Sequence, residues 1–242
     1  MQIKPLFIVI LLISFSFVHA QEYTFGIKGG INFNNIGELY HYGNNSGLGT
    51  NVTPNEDTVF SDEKEMGTQF GAFAMIAFGK FFIRPEVNYV SSKNNYPLAF
   101  KTANWTSTKI DIPLLFGYKI YEPISLYLGP SFSSISDMKL EGVEQGSSYP
   151  YVYKNSSTSI NAGILAEFGR FGVDLRYQYG ITKVEELRVN IERSIYGTNI
   201  ANLLEYNPSQ IQLSIHINIF KINSDNGGHS SGWRGSNRSC PE

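Results

Sequence analysis

The stretch Ile211-Gln212-Leu213-Ser214-Ile215-His216-Ile217-Asn218-Ile219 alternates apolar and polar residues without a break. A β-strand turns successive side chains to opposite faces, so these residues describe a strand that is aliphatic on one side and polar on the other. Tyr23, Phe25, Ile27, Gly29, Ile31 and Phe33 repeat the pattern near the start of the chain, with Lys28 and Asn32 between them. Eight such segments can be read, at 22–33, 68–78, 81–91, 105–118, 124–134, 158–168, 171–181 and 209–220, and none carries a charge on its apolar face. Inside a bilayer only helices and closed barrels satisfy their backbone groups, and no run after residue 20 approaches the roughly 18 apolar residues of a membrane helix. The pattern predicts an all-β fold, an eight-stranded antiparallel transmembrane β-barrel.

The connections support it. They are long at 34–67, 92–104, 135–157 and 182–208, and short at Gly79-Lys80, at 119–123 and at Gly169-Arg170. Short periplasmic turns at one end and long extracellular loops at the other are how outer-membrane barrels are built. Two short turns echo each other, Phe78-Gly79-Lys80-Phe81 and Phe168-Gly169-Arg170-Phe171, and glycine at the first loop position suits a type II′ hairpin. Residues flanking such a loop share a face, and the alternation of each strand independently places these phenylalanines on the apolar one.

Aromatic residues on that face gather in two bands. Tyr23, Phe25, Phe78, Phe81, Phe116, Tyr118, Phe168 and Phe171 lie toward the short turns, and Phe33, Phe70, Tyr89, Phe132, Tyr177 and Tyr179 toward the loops, as two membrane interfaces select. Glycine indicates which face points inward: Gly26, Gly30, Gly71, Gly117, Gly129, Gly163, Gly172 and Gly180 share the polar face, where a narrow interior has little room. Pro85, Pro113 and Pro130 fall within strands of a closed sheet that has no free edge, which predicts local bulges or bends there.

The first twenty residues read as a signal peptide, with Lys4, an apolar run from Leu6 to Val18, and Val18-His19-Ala20 before the cleavage point. Residues 21–220 then form a single barrel domain, and 221–242, rich in Gly and Ser, are expected to be a disordered periplasmic tail. The mature chain holds 18 Lys and Arg against 21 Asp and Glu, a balance that argues against nucleic acid as a partner. Cys240 is the only cysteine and cannot form an internal disulfide. The expected location is the outer membrane of a Gram-negative-type envelope, with lipid as the surrounding partner.

The inward faces carry Lys28, Arg84, Lys109 and Arg176 against Glu86, Asp111, Glu167 and Asp174, with His216 beside them. Equal numbers of each sign predict a lumen plugged by paired charges, because charges removed from water persist only when paired and hydrogen-bonded. A proton or small-solute path through His216 is the functional counterpart. Most of these groups sit near the short-turn end, where no serine or cysteine nucleophile accompanies an Asp174–His216 contact, so no catalytic residues are assigned. His41, His216 and His229 lack metal-ligand spacing, and neither a metal nor a cofactor is expected. The loops, as in Tyr40 to Asn45 and Ser147 to Tyr153, are rich in Tyr, Ser, Asn and Gly, a composition suited to binding.

Several motifs in order resemble the PorT-like outer-membrane β-barrel proteins of Bacteroidetes-type bacteria. They are Gly26-Ile27-Lys28-Gly29-Gly30-Ile31-Asn32, Arg84-Pro85-Glu86 with Tyr89, Ile110-Asp111-Ile112-Pro113-Leu114-Leu115, Leu128-Gly129-Pro130, and Arg176-Tyr177-Gln178-Tyr179-Gly180. The resemblance covers about residues 22 to 220 and implies a small outer-membrane barrel, one branch of the family being linked to protein secretion. It carries no catalytic residues. The expected function is a non-enzymatic barrel that anchors extracellular binding loops or assists a cell-envelope or secretion process, with a narrow transport pore as the alternative and an outer-membrane enzyme as a third possibility.

Overall fold

The structure, a computed structural model, describes residues 21–41, 57–143, 153–198 and 200–223. Residues 1–20, where a signal peptide is expected, the residues beyond Asn223 with Cys240 and His229, and most of both Tyr-rich loop stretches lie outside the described residues.

In chain order the strands are β1 (Gln21–Asn35), β2 (Leu39–His41), β3 (Thr58–Phe60), β4 (Glu63–Lys64), β5 (Gly67–Phe78), β6 (Phe81–Pro97), β7 (Thr102–Tyr121), β8 (Ile124–Leu140), β9 (Ser156–Phe168), β10 (Phe171–Gly180), β11 (Leu187–Asn190), β12 (Ile200–Leu203) and β13 (Ser209–Asn223). One short helix, α1 (Arg193–Tyr196), precedes β12. Eight strands close a ring of antiparallel pairs, β1–β5–β6–β7–β8–β9–β10–β13 and back to β1. All eight predicted segments are present, and the two-residue hairpins pair Phe78 with Phe81 and Phe168 with Phe171. Gly79 and Gly169 hold φ of 62° and 63°, the left-handed conformation that the first loop position requires.

The two faces separate as the alternation predicts. Ile211, Leu213, Ile215, Ile217 and Ile219 are exposed on the outer wall, whereas Gln212, Ser214 and His216 are buried inside. Aromatic pairs stand in both bands, with Phe81 and Tyr118 ring centroids 5.0 Å apart near the short turns and Phe70 and Tyr89 5.2 Å apart near the loops.

Three features differ from the sequence reading. First, β6 and β7 run past the expected ends at 91 and 105, so the connection 92–104 is mostly hairpin. Second, the prolines produce gaps rather than bulges. Pairing lapses beside Pro85 between β5 and β6, beside Pro113 between β6 and β7, and beside Pro130 between β7 and β8, yet the register on either side is unchanged. The missing donor removes a rung without adding a residue. Register shifts occur instead at Phe25/Gly26, Thr108/Lys109 and Lys119/Tyr121. Third, β13 continues to Asn223, and Phe25 pairs with Phe220 while Gly26 pairs with Asn218, so Phe220 is not the strand's last residue.

The long loops contain a structured head. β11, β12, β2 and β3 form a separate four-stranded sheet in that order. Leu39, Phe60, Leu98, Trp105, Leu140, Val189, Ile191, Ala201 and Leu203 belong to one buried apolar cluster between this sheet and the extended hairpins. Tyr96 donates its hydroxyl hydrogen to the Gly37 carbonyl within it.

Candidate functional site

Inside the barrel, alternation on β1, β6 and β10 aims Lys28, Glu86, Asp174 and Arg176 at one point. Lys28 Nζ donates to Glu86 Oε2 at 3.1 Å and to Asp174 Oδ2 at 3.0 Å. Arg176 Nη2 reaches Glu86 Oε1 and Asp174 Oδ2, each at 2.9 Å. Tyr127, from β8, donates to Asp174 and accepts from Arg176 Nε at 2.9 Å. Asn88 Nδ2 adds a bond to Glu86 Oε2 at 3.0 Å. Arg84 Nε lies 2.9 Å from Glu86 Oε1 as an ion pair, and the guanidinium stacks 4.0 Å from the centre of the Phe73 ring. These charged side chains are at most 1% exposed. At such burial each carboxylate needs several donors to offset lost hydration, and this cluster supplies them.

The remaining predicted lumen residues fall into two other places. Below the cluster, His216 Nε2 stands 3.8 Å from Glu167 Oε1 and edge-on to Phe73. Asp174, which the sequence allows beside His216, is instead held by Lys28, Arg176 and Tyr127. Above it, Asp111 accepts from Ser133 Oγ at 2.6 Å and from Gln178 Nε2 at 3.2 Å, and Lys109 Nζ donates to Gln178 Oε1 at 3.1 Å.

Sequence reasoning missed that the inner face is partly apolar. Phe73, Met75, Phe82, Leu115, Tyr127 and Leu165 pack together in the lumen. The inward glycines are the signal that could have located these rings. A Cβ on Gly117 would stand 2.0 Å from Phe82 Cζ, and one on Gly163 would stand 2.3 Å from the Tyr127 hydroxyl.

Between the polar lumen and the head lies a cup of about 310 Å³. Its floor is Lys109, Gln178, Gln210, Ser92, Ser107 and Ser159, and its walls are Trp105, Ile36, Ile135, Met138, Leu187, Leu203 and Tyr206. Lys154 and Glu185 pair at its rim, 2.8 Å apart. Of this set only Lys109 was singled out by the sequence. The wall residues come from loops and strand ends, where no alternation marks them.

On the outer edge of the head, Lys101 bonds Glu141 Oε1 at 2.9 Å and the Tyr196 hydroxyl at 3.3 Å. Hydrogen bonding to Lys101 first, and to Tyr196 next, holds the Glu141 carboxyl down to about 2, and the bonds of Lys101 to Glu141 and Tyr196 push the lysine up. Among the described residues no group of three His, Cys, Asp or Glu is placed to hold a metal.

A closed eight-stranded ring with an apolar outer wall, a charged lumen and long loops at one end defines the class of small outer-membrane barrels. The chain belongs to the outer membrane protein beta-barrel domain family, whose profile matches residues 19–186. A comparison with curated proteins returns no match. Similar solved structures include Neisserial surface protein A at 11% identity, covering 81% of this chain and 99% of that one, with a TM-score of 0.41. OprG of Pseudomonas aeruginosa shares 11% identity over 82% of this chain and 96% of its own, with a TM-score of 0.43. The attachment invasion locus protein Ail of Yersinia pestis, solved with the heparin analogue sucrose octasulfate, shares 12% identity over 84% and 99%, with a TM-score of 0.40.

Proposed function

We propose that this protein is a non-conducting, non-enzymatic outer-membrane anchor that displays a structured binding head outside the cell. The observation that carries the reading is the Lys28–Glu86–Arg176–Asp174 cluster, whose contacts of 2.9–3.1 Å span the lumen beneath the head. A path for ions through that level would have to separate buried pairs, at a cost of several kcal/mol per ion. The partner is another protein or a ligand of the cell envelope, and the PorT-like motifs favour an envelope or secretion process. In this reading residues 1–20 direct export, 21–223 form the barrel and the residues after Asn223 lie on the periplasmic side.

The test pairs conductance with capture. The purified full-length mature protein in planar bilayers should give no steady conductance, and pull-down from intact outer membranes should retain an envelope partner through the head. Steady conductance that responds to Glu86→Ala would favour the narrow-pore alternative and overturn the anchor reading.

A further inference from the structure

We propose that the cup under the head binds a small amphipathic carboxylate, its apolar body against Trp105 and Met138 and its carboxylate on Lys109. This inference rests on the display reading and names what the head holds.

Three observations carry it. The cup has the volume of a small-molecule site and combines mostly apolar walls with a few convergent polar groups, the composition such sites require. It is blind, because its floor is tied into the lumen's hydrogen bonds: Gln178 bonds Ser131 and Asp111, and Gln210 bonds Ser92. A molecule entering from outside therefore stops there. Finally, among the described residues Lys109 is the cation of the lumen without an ion pair. Lys28, Arg84 and Arg176 each contact a carboxylate within 3.1 Å, whereas the Lys109 ammonium has one described hydrogen-bond partner, the neutral Gln178 amide. Asp111 lies close enough to act on Lys109 through space but makes no described contact with it, and its oxygens accept from Ser133 and Gln178.

An ammonium carries three donors, and two of them have no described protein acceptor. A carboxylate arriving from the cup would supply both the acceptors and the countercharge in a setting partly shielded from water, where a charge-assisted hydrogen bond is strong. A neutral molecule of the same shape would gain only the wall contacts. The site therefore selects for charge at its floor and for an apolar group above it.

The experiment uses the full mature chain in nanodiscs with Trp233→Phe, which leaves Trp105 as the only tryptophan and places the fluorescence signal at the cup. The probes are 4-phenylbutyrate and its uncharged amide, with empty nanodiscs as the partition control. Phenylbutyrate should bind saturably and change Trp105 emission, with the amide at least tenfold weaker. Lys109→Met should abolish that preference, and Met138→Phe, which narrows the cup on its apolar wall without adding a tryptophan, should weaken binding of both at least tenfold. Circular dichroism would check that both variants keep their strand content. Equal binding of the two probes, a preference that survives Lys109→Met, or binding unchanged by Met138→Phe would overturn the proposal, as would no binding of either probe. The last result, with zero conductance and a captured envelope partner, would remove the carboxylate site and leave the display reading standing. Conductance would remove the display reading itself.

Discussion

Within the membrane the chain keeps its ions inside and its aliphatic groups on the surface; in the head, just past the barrel's rim, the arrangement is reversed. Arg84, Glu86, Asp174 and Arg176 are buried in the lumen while Ile215 and Leu213 are exposed. In the head Leu39, Val189 and Leu203 are buried while the pairs Lys101–Glu141 and Lys183–Glu205 lie outside. One polymer obeys both rules because the solvent changes along its length. Lipid offers no hydrogen bonds and no hydrophobic drive toward an apolar core, so the lumen coheres through charge and packing. Water restores the hydrophobic effect, and the head coheres by burying carbon.

That contrast can be broken at either end. The largest effect is expected from Glu86→Gln, which leaves Lys28, Arg84 and Arg176 facing Asp174 alone. Unpairing a buried charge should destabilise the whole barrel by about 3–5 kcal/mol, read as a lowered denaturant midpoint of the detergent-folded protein. Leu203→Ala should cost about 2–5 kcal/mol, but only in the head, so amide exchange should accelerate in β12 and β2 while the barrel's global transition stays put. A shift of the barrel transition by the same amount would show that the two regions unfold as one. Ile215→Lys places a charge against lipid and should cost about 2–4 kcal/mol, an effect that vanishes for the same change on a water-facing strand.

The smallest effect concerns pH. Glu141 has its carboxyl lowered to about 2 in the folded head, so its contribution is present above the ordinary carboxylate value of 4.5 and is lost as pH falls toward 2. Pepsin cleavage of the head should therefore speed up across that window, and Glu141→Gln should flatten the dependence. The side chain is partly exposed, and solvent screening keeps the effect modest.

How much of this was legible in the sequence follows from the same contrast. Wherever one face met lipid, period-two alternation was clean, and Phe78/Phe81 and Phe168/Phe171 could be placed to the residue. Past the membrane the outer face loses that constraint, so Ser92-Lys93-Asn94-Asn95 reads as loop although it continues β6. β2, β3, β11 and β12 have three or four residues each, too few for any period to register. The lumen charges were identifiable as inward because alternation assigns faces. Their division into a central cluster, a His216–Glu167 pair and an upper Lys109–Asp111 layer depends on strand stagger, which one chain's pattern does not encode. Lys109 was visible as an inward cation, but that it has no ion pair among the described residues is legible only in the fold.

The length of β6 and β7, from the short turns to Pro97 and Thr102 with pairing lapsing beside the prolines, has a mechanical consequence. These strands span 17 and 20 residues, against the roughly 9–11 that a bilayer needs, and they carry the head on the same ladder that crosses the lipid. A pull on the head directed along these strands loads many rungs at once in shear instead of opening them one by one. The head is thus fixed to a strut, able to bear tension from whatever it holds.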